Sequence, residues 1–377
     1  MAPGTDAKLY PIQQTEWEWM PRPLRLAVAW VTIVAFSAAF YLVPAAVLLA
    51  ALELACFGFW GGIPHVLGIV VFIIVLSFYP KLLNTENSAS LPQMTEWPEA
   101  RRFFQLWYEP FQFCCNLSPE VCKELAAKAK PGKGRYMIAM HPHGIVPLHA
   151  CLWAAFCDQY LGPEVYGFGA IASVVKRMPI IRQVVGWLTC VPADYNTIRD
   201  GFLGDCPPAN RAGRKPQNLY ILPGGIAEVF TASPGRDIII CKTRTGLFRL
   251  SLECKAQILP VYVFGANDFF YNLVNVSENA NGSSSNGGGG GGGGLLSFAS
   301  RRLRATITLF WGRFGLPIPY APRVCMVIGK PLEIPSNENW GDSEIEHLRS
   351  AYIDEMKLIF NKYKAAAGRP NANLEVR

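Results

Sequence analysis

Leu26 to Leu52 is a stretch of 27 residues without a formal charge, and after Glu53 a second uncharged stretch runs from Leu54 to Pro80. About 20 apolar residues span the hydrocarbon of a bilayer, so each stretch is long enough to cross. Between them lies CFGFWGGIP, in which Gly61, Gly62 and Pro64 break a helix. The sequence therefore predicts a transmembrane helical hairpin over 22–83, with spans at about 26–50 and 63–79. A tail, 1–21, precedes it and a larger domain, 84–377, follows. A signal peptide fits poorly, because the apolar stretch is too long and starts behind a tail that contains Glu16, Trp17 and Glu18. Pro44, inside the first stretch, either kinks that helix or marks the tip of a re-entrant hairpin. Arg22 and Arg25 precede the hairpin, Lys81 follows it, and the turn carries no Lys or Arg. The positive-inside tendency then puts both termini in the cytosol.

Composition agrees with a membrane-bound chain. Charged residues make up 17%, below the roughly 25% of soluble proteins. The net charge of +7 suits anionic headgroups or phosphorylated ligands. It is too diffuse for a nucleic-acid surface, and no nucleic-acid motif is present, so no nucleic-acid partner is expected. The eleven cysteines form no Cys-x-x-Cys pair and mostly sit in apolar surroundings. They read as reduced, buried thiols of a cytosolic domain.

Beyond the hairpin, short apolar runs alternate with helical patterns. Strands are predicted at 135–140, 165–170, 218–222, 257–264 and 324–329. Helices are predicted at 118–129, 147–160, 173–186, 243–254 and 343–364. This alternation predicts an α/β domain with a central, mostly parallel sheet, whose sites form at the carboxyl ends of strands. The segment 277–294, rich in Gly, Ser and Asn, is expected to be a disordered loop. After it, no Asp or Glu occurs between Glu278 and Glu333, and Arg301, Arg302, Arg304 and Arg313 alternate with Phe298, Phe310, Trp311 and Phe314. That pattern suits either ordinary strands or a helix with core aromatics, or a surface lying on a membrane.

Three motifs can carry chemistry. In RYMIAMHPHGIV an apolar strand ends at His141-Pro142-His143-Gly144. Pro142 stops strand pairing and Gly144 lets the backbone approach a ligand. His141 and His143 thus occupy a strand-to-helix turn, where a neutral imidazole can take a proton from a hydroxyl. His143 is preferred slightly, as abutting Gly144 and lying deeper in the turn, and His149 reads as a structural residue of the next helix. In LYILPGGIAEVF the adjacent Gly224 and Gly225 offer backbone N–H groups at a helix start, suited to an oxyanion, and Glu228 lies one turn further, within reach of a histidine. In KTRTGLFRL, Lys242, Arg244 and Arg249 either line a phosphate site or form a solvated basic face.

In combination these residues resemble the type-2 diacylglycerol acyltransferase family, which includes monoacylglycerol and wax-alcohol acyltransferases. The resemblance rests on His141-Pro142-His143-Gly144, on Arg177-Met178-Pro179, on Gly224-Gly225-x-x-Glu228, on Arg244-x-Gly246 with ILPVYVFGAND, and on VIGKPLEIP at 327–335 with the helix after it. It implies a glycerolipid-acyltransferase-like domain that makes triacylglycerol from diacylglycerol and acyl-CoA. The histidine would act as general base with Glu228 orienting it. The Gly144 or Gly225 amides would hold the oxyanion, and Lys242 and Arg244 the CoA phosphates. No acyl-enzyme, cofactor or metal is implied. The partners are acyl-CoA, diacylglycerol and membrane lipid, with a homo-oligomer left open. The location is the endoplasmic reticulum membrane or the lipid droplet surface. Two departures stand out: the His-x4-Asp form of related enzymes is absent, and an expected Tyr-Phe-Pro element appears as Tyr108-Glu109-Pro110. No G-x-S-x-G elbow occurs. The rival readings are a metal-dependent hydrolase built on His-x-His and Glu228, and a non-enzymatic lipid-binding membrane protein.

Overall fold

The computed structural model describes residues 7–78, 98–118, 120–122, 136–161, 167–178, 180–188, 190–203, 218–272, 309–335 and 339–377. The glycine-rich segment, Arg301, Arg302, Arg304, Pro179 and most of the helix expected at 118–129 lie outside them.

Helix α1 runs from Arg22 to Ala38, with Pro23 at its start, where a missing N–H leaves no bond unmade. Ala29, Ile33, Phe36 and Ser37 form its buried face. That face docks on the domain: Trp107 Nε1 donates to Thr32 Oγ1 at 3.0 Å, and the Phe36 and Trp107 rings lie 5.9 Å apart. Leu24 and Val31 are exposed. After one tight turn, Ala39–Tyr41, helix α2 (Leu42–Phe78) begins, and it is broken at Gly58, φ 66° and ψ 176°.

These boundaries differ from the expected spans. The first helix ends at Ala38 rather than near residue 50, and Pro44 lies in the first turn of α2, where proline is tolerated. The chain reverses at Gly58, whose positive φ disfavours a side chain, and not at the Gly61-Gly62 pair. Gly62 serves packing instead, since a Cβ there would come within 2.9 Å of the Glu53 carbonyl. Across the reversal, His65 Nδ1 meets Glu53 Oε2 at 2.8 Å. Among the described residues, Arg22–Tyr41 is the one helix long and apolar enough to cross a membrane, with 20 residues and a mean hydropathy of 1.7. Pro44–Gly58 and Trp60–Phe72 are shorter, about 22 and 20 Å at 1.5 Å per residue, against about 30 Å of hydrocarbon.

The strands are β1 (Tyr10–Pro11), β2 (Cys114–Cys115), β3 (Tyr136–His141), β4 (Phe168–Ile171), β5 (Cys190–Pro192), β6 (Asn218–Ile221), β7 (Asp237–Ile239), β8 (Gln257–Phe264), β9 (Tyr271–Asn272), β10 (Phe310–Trp311), β11 (Cys325–Ile328) and β12 (Leu374–Val376). Eight of them form one sheet, in the order β1-β2-β11-β8-β3-β6-β4-β5. Its centre, β8-β3-β6-β4-β5, is parallel throughout, and β11 runs antiparallel to β8. All five predicted strands are present, and the predicted α/β class with a mostly parallel sheet is the observed one.

Beyond α2, the helices are α3 (Pro98–Phe103), α4 (Leu148–Phe156), α5 (Ile181–Trp187), α6 (Tyr195–Leu203), α7 (Gly225–Thr231), α8 (Gly246–Glu253) and α9 (Asp342–Tyr363). Helix α9 begins with Asp342 and Glu344, acidic residues that suit the positive end of a helix dipole. The central strand β3 sorts the core into two layers by its alternation. Ile138 and Met140 face the layer shared with α1 and α4, while Met137 and Ala139 face the layer shared with α8 and α9. All ten described cysteines are free, and only Cys56 is exposed.

Candidate active site

β3 ends at His141, which continues the strand's alternation toward α9, with its ring 5.9 Å from that of Tyr352. The His141–Pro142 peptide is cis. Gly144 then turns the chain at φ +67°, and a Cβ there would lie 2.5 Å from the Ala266 carbonyl oxygen at the end of β8. The turn thus has room for glycine only, pressed against the loop that follows the neighbouring strand.

β6 lies beside β3, so the segment leaving β6 enters the same region. There α7 carries Glu228, which is 1% exposed. Its carboxylate accepts three hydrogen bonds. His141 Nδ1–H donates to Oε1 at 2.6 Å, Ile240 N–H to Oε1 at 2.7 Å, and His143 N–H to Oε2 at 2.7 Å. One carboxylate therefore grips a ring and two backbone donors from separate segments. Gly224 makes the grip fit, because a Cβ at that position would fall 1.9 Å from the Glu228 carboxyl carbon. Burial works to raise the Glu228 pKa. The His141 imidazole and the Ile240 and His143 amides outweigh it, so the carboxyl titrates below its usual range.

The two histidines occupy different environments. His141 is wholly buried, and its Nε2 has no partner. His143 is half-buried, so the structure makes His141, not His143, the deeper residue. His143 Nδ1 lies 2.8 Å from the Gly144 carbonyl. A carbonyl only accepts, so Nδ1 carries the proton, and Nε2 of the neutral ring keeps its lone pair. Burial lowers the His143 pKa against the opposing pull of the Gly144 carbonyl and Glu228. The ring is thus held neutral with its basic nitrogen ready to accept a proton.

The remaining expected residues divide. Gly225 N–H already donates to the Leu222 carbonyl at 3.1 Å, so the turn consumes an amide that was expected to face an oxyanion. Arg244 Nη2 reaches the Gly224 carbonyl at 3.4 Å and so joins the glycine turn. The Lys242 side chain is exposed two residues away. Tyr108 is buried, and Glu109, which stands in place of the expected Phe, accepts from Arg22 Nε of α1 at 2.5 Å. Among the described residues, no group of three or more His, Cys, Asp or Glu is placed to hold a metal ion. Sequence reasoning missed Ile240 and Ala266, which act through backbone atoms and leave no side-chain signal. It also missed the ring of Tyr352, which α9 delivers from more than 200 residues away.

The family model described as "Diacylglycerol acyltransferase" matches residues 100–377. The chain belongs to the diacylglycerol acyltransferase family. Diacylglycerol O-acyltransferase 2 of Danio rerio is 28% identical over 243 residues, covering 62% of this chain and 62% of that protein. The 2-acylglycerol O-acyltransferase 3 of Homo sapiens is 24% identical over 250 residues, covering 64% and 67%. Diacylglycerol O-acyltransferase 2 of Dictyostelium discoideum is 26% identical over 257 residues, covering 65% and 71%. The chain thus spans about three fifths to seven tenths of the lengths of these diacylglycerol acyltransferase family relatives. A solved 1-acyl-sn-glycerophosphate acyltransferase, PlsC from Thermotoga maritima, aligns with a TM-score of 0.33 and 9% identity over 77% of this chain and 93% of its own. So slight a likeness carries no argument.

Proposed function

We propose that this chain transfers the acyl group of an acyl-CoA to the free hydroxyl of a diacylglycerol, with His143 as the general base. The observation that carries the reading is the Glu228 clamp: it holds His141 and His143 in one turn and leaves Nε2 of the half-buried His143 as the basic nitrogen. His141 is a positioning residue in this scheme, since no substrate atom can touch a ring with no exposed surface. His143 Nε2 removes the hydroxyl proton as the alcohol oxygen attacks the thioester carbon. The oxyanion that forms collapses, the C–S bond breaks, and the departing CoA sulfur takes up the proton. General base catalysis of this kind contributes about 10²–10⁴ in rate. The Gly144 amide is preferred to that of Gly225 as oxyanion donor, because Gly225 N–H is already bonded to the Leu222 carbonyl. No acyl-enzyme is needed, and neither a metal nor a cofactor takes part. Lys242 and Arg244, exposed beside the glycine turn, are suited to CoA phosphates.

Diacylglycerol is insoluble in water, so the site has to work at a membrane surface. Helix α1 spans or lies along that membrane, and the two arms that meet at Gly58 form a re-entrant hairpin. The 309–316 segment sets the depth of the domain. Phe314 is 90% exposed there beside exposed Leu309 and Leu316, and Arg313 lies over the Trp30 ring of α1 at 5.2 Å. The proposed location is the endoplasmic reticulum membrane or the lipid droplet surface, with both termini cytosolic. A monoacylglycerol acceptor is the second reading, favoured by the 2-acylglycerol acyltransferases among the relatives.

The test is expression in a yeast strain devoid of storage lipid, with lipid chromatography and a microsomal assay of labelled oleoyl-CoA. Triacylglycerol is expected from the parent chain and is expected to be lost in His143→Ala. Full activity in that variant at normal abundance would remove His143 from the chemistry, and wax ester as the product would replace the acceptor.

A further inference from the structure

Two supports of the histidine turn are backbone atoms: the Ile240 N–H, which donates to Glu228 Oε1, and the Ala266 carbonyl, which crowds Gly144. Ile240 follows β7, which lies outside the eight-stranded sheet and has β12 as its ladder partner. Arg377, next after β12, holds the chain on both sides of Ile240. Its N–H donates to the Ile239 carbonyl, and its carbonyl accepts from Cys241 N–H and Lys242 N–H, all at 2.9 Å. Successive residues of an extended chain turn their amides to opposite sides, so the Ile240 N–H is left facing Glu228. Ala266 lies in the turn that follows β8.

One side chain joins these two segments. Arg369, on the approach to β12, places Nη2 3.2 Å from Asp237 Oδ2 and Nη1 3.3 Å from Asp268 Oδ2. Asp237 is the buried first residue of β7. Asp268 ends the turn that carries Ala266, and its Oδ1 accepts from Gly235 N–H at 2.9 Å. Tyr262 O–H donates to Asp237 Oδ1 at 2.7 Å, and Tyr262 pairs in register with His141 across β8 and β3. A guanidinium can engage two carboxylates at once through separate nitrogens. A buried ion pair is weak evidence for stability, and its best-attested use is to fix register.

We propose that Arg369 is a positioning residue for acyl transfer: by pinning β7 to the turn after β8, it keeps the Ile240 N–H on Glu228 and the Ala266 carbonyl against Gly144. This inference rests on the reading of Glu228 as the clamp of the histidine turn, and adds the element that holds the clamp in place.

Arg369→Met keeps the length of the side chain and removes both ion pairs. Arg369→Lys keeps the charge, loses the fork, and carries the same test should the Met variant not fold. Arg101→Met, which breaks the buried Arg101–Asp158 pair at 3.2 Å, is the control for a packing defect. With rates taken per folded molecule in detergent, Arg369→Met should lower kcat about tenfold, as a small misplacement at a catalytic site does, and leave KM for oleoyl-CoA and dioleoylglycerol at the parent's values. Arg369→Lys should fall between the two, and Arg101→Met should lower Tm without changing kcat. Added to Glu228→Gln, Arg369→Met should cost almost no further turnover, because both act through one clamp. Amide hydrogen exchange reads the geometry without turnover: peptides over 237–242 should exchange severalfold faster in Arg369→Met, and those over α5 at the parent's rate. If Glu228→Gln is impaired but Arg369→Met turns over like the parent, the clamp stands and the proposal is overturned. If Glu228→Gln is fully active while Arg369→Met loses kcat and loosens 237–242, the clamp reading fails and Arg369 still positions the turn through Ala266 and Gly144. Unchanged exchange at 237–242, losses that multiply in the double variant of an impaired Glu228→Gln, or an equal loss of kcat in Arg101→Met each overturn the proposal.

Discussion

Replacing Glu228 with Gln changes almost no volume and removes one charge, which makes it the sharpest probe of the clamp. In the parent, the carboxylate accepts from His141 Nδ1–H, Ile240 N–H and His143 N–H at 2.6–2.7 Å, and the side chain is 1% exposed. Hydrogen bonds to a charged group contribute about 1.5–3 kcal/mol each and neutral ones about 0.5–1.5. The better amide orientation keeps its oxygen on His141 and Ile240 and turns its NH₂ toward His143 N–H, donor against donor. Two weakened bonds and one reversed contact amount to about 3–5 kcal/mol, the range found when a buried pair loses one partner. At roughly 2–4 °C per kcal/mol for a domain of this size, Tm should fall by about 10 °C. Acyl transfer should fall at least about 100-fold, because the base loses its footing. The pH dependence gives an independent check. The folded-state pKa of Glu228 is lowered from its ordinary value of 4.5, so its contribution is fully present above that value and is lost as pH falls through the lower folded one. The Tm gap between parent and Glu228→Gln should therefore be constant from pH 5 upward and close below about pH 4.5. Differential scanning fluorimetry of detergent-purified protein across pH reads this directly. A Tm within about 2 °C of the parent at neutral pH, together with normal activity, would refute the clamp.

Further substitutions test the surrounding geometry. Gly224→Ala places a methyl group 1.9 Å from the Glu228 carboxyl carbon and should reproduce the Tm loss of Glu228→Gln with the glutamate still present. Gly144→Ala meets both a positive φ and the Ala266 carbonyl at 2.5 Å. It should cost about 1–3 kcal/mol in backbone strain alone, seen as a lower urea midpoint. Because burial lowers the His143 pKa from 6.5, the acid limb of kcat/KM should lie below pH 6.5, and a limb above that value would point to another base. Phe314→Ser, at a side chain 90% exposed, should leave Tm unchanged while weakening flotation of the domain with anionic vesicles. Unchanged flotation would dissociate the 309–316 segment from the membrane.

Local signals were enough to reveal much of this molecule. The uncharged runs at 26–52 and 54–80 announce lipid-compatible helices, and consecutive apolar residues in β3, β6 and β8 announce strands covered on both faces. His-Pro-His-Gly at a strand end points to a candidate site by its residues and position, and Gly-Gly-x-x-Glu at a helix start joins it through the family resemblance. Local patterns could not assign partners. By sequence, Glu228 is within reach of either histidine ring, and the parallel pairing of β3 with β6 decided that it takes the ring of His141 and only the backbone of His143. The same pairing buried His141 beneath α9 and left His143 half-open, reversing the expected depth of the two. Gly58 and Gly62 exchanged roles for a similar reason: which glycine breaks the helix and which one packs depends on what faces each across the kink. Gly225 N–H was spent closing its own turn, and the ion pairs by which Arg369 joins β7 to the turn after β8 became visible only once everything around them was in place. Chain periodicity and residue chemistry act over a few neighbours and are written in the sequence. The orientation of a side chain in a packed interior depends on residues hundreds of positions away, and only the assembled sheet and its two layers determine it.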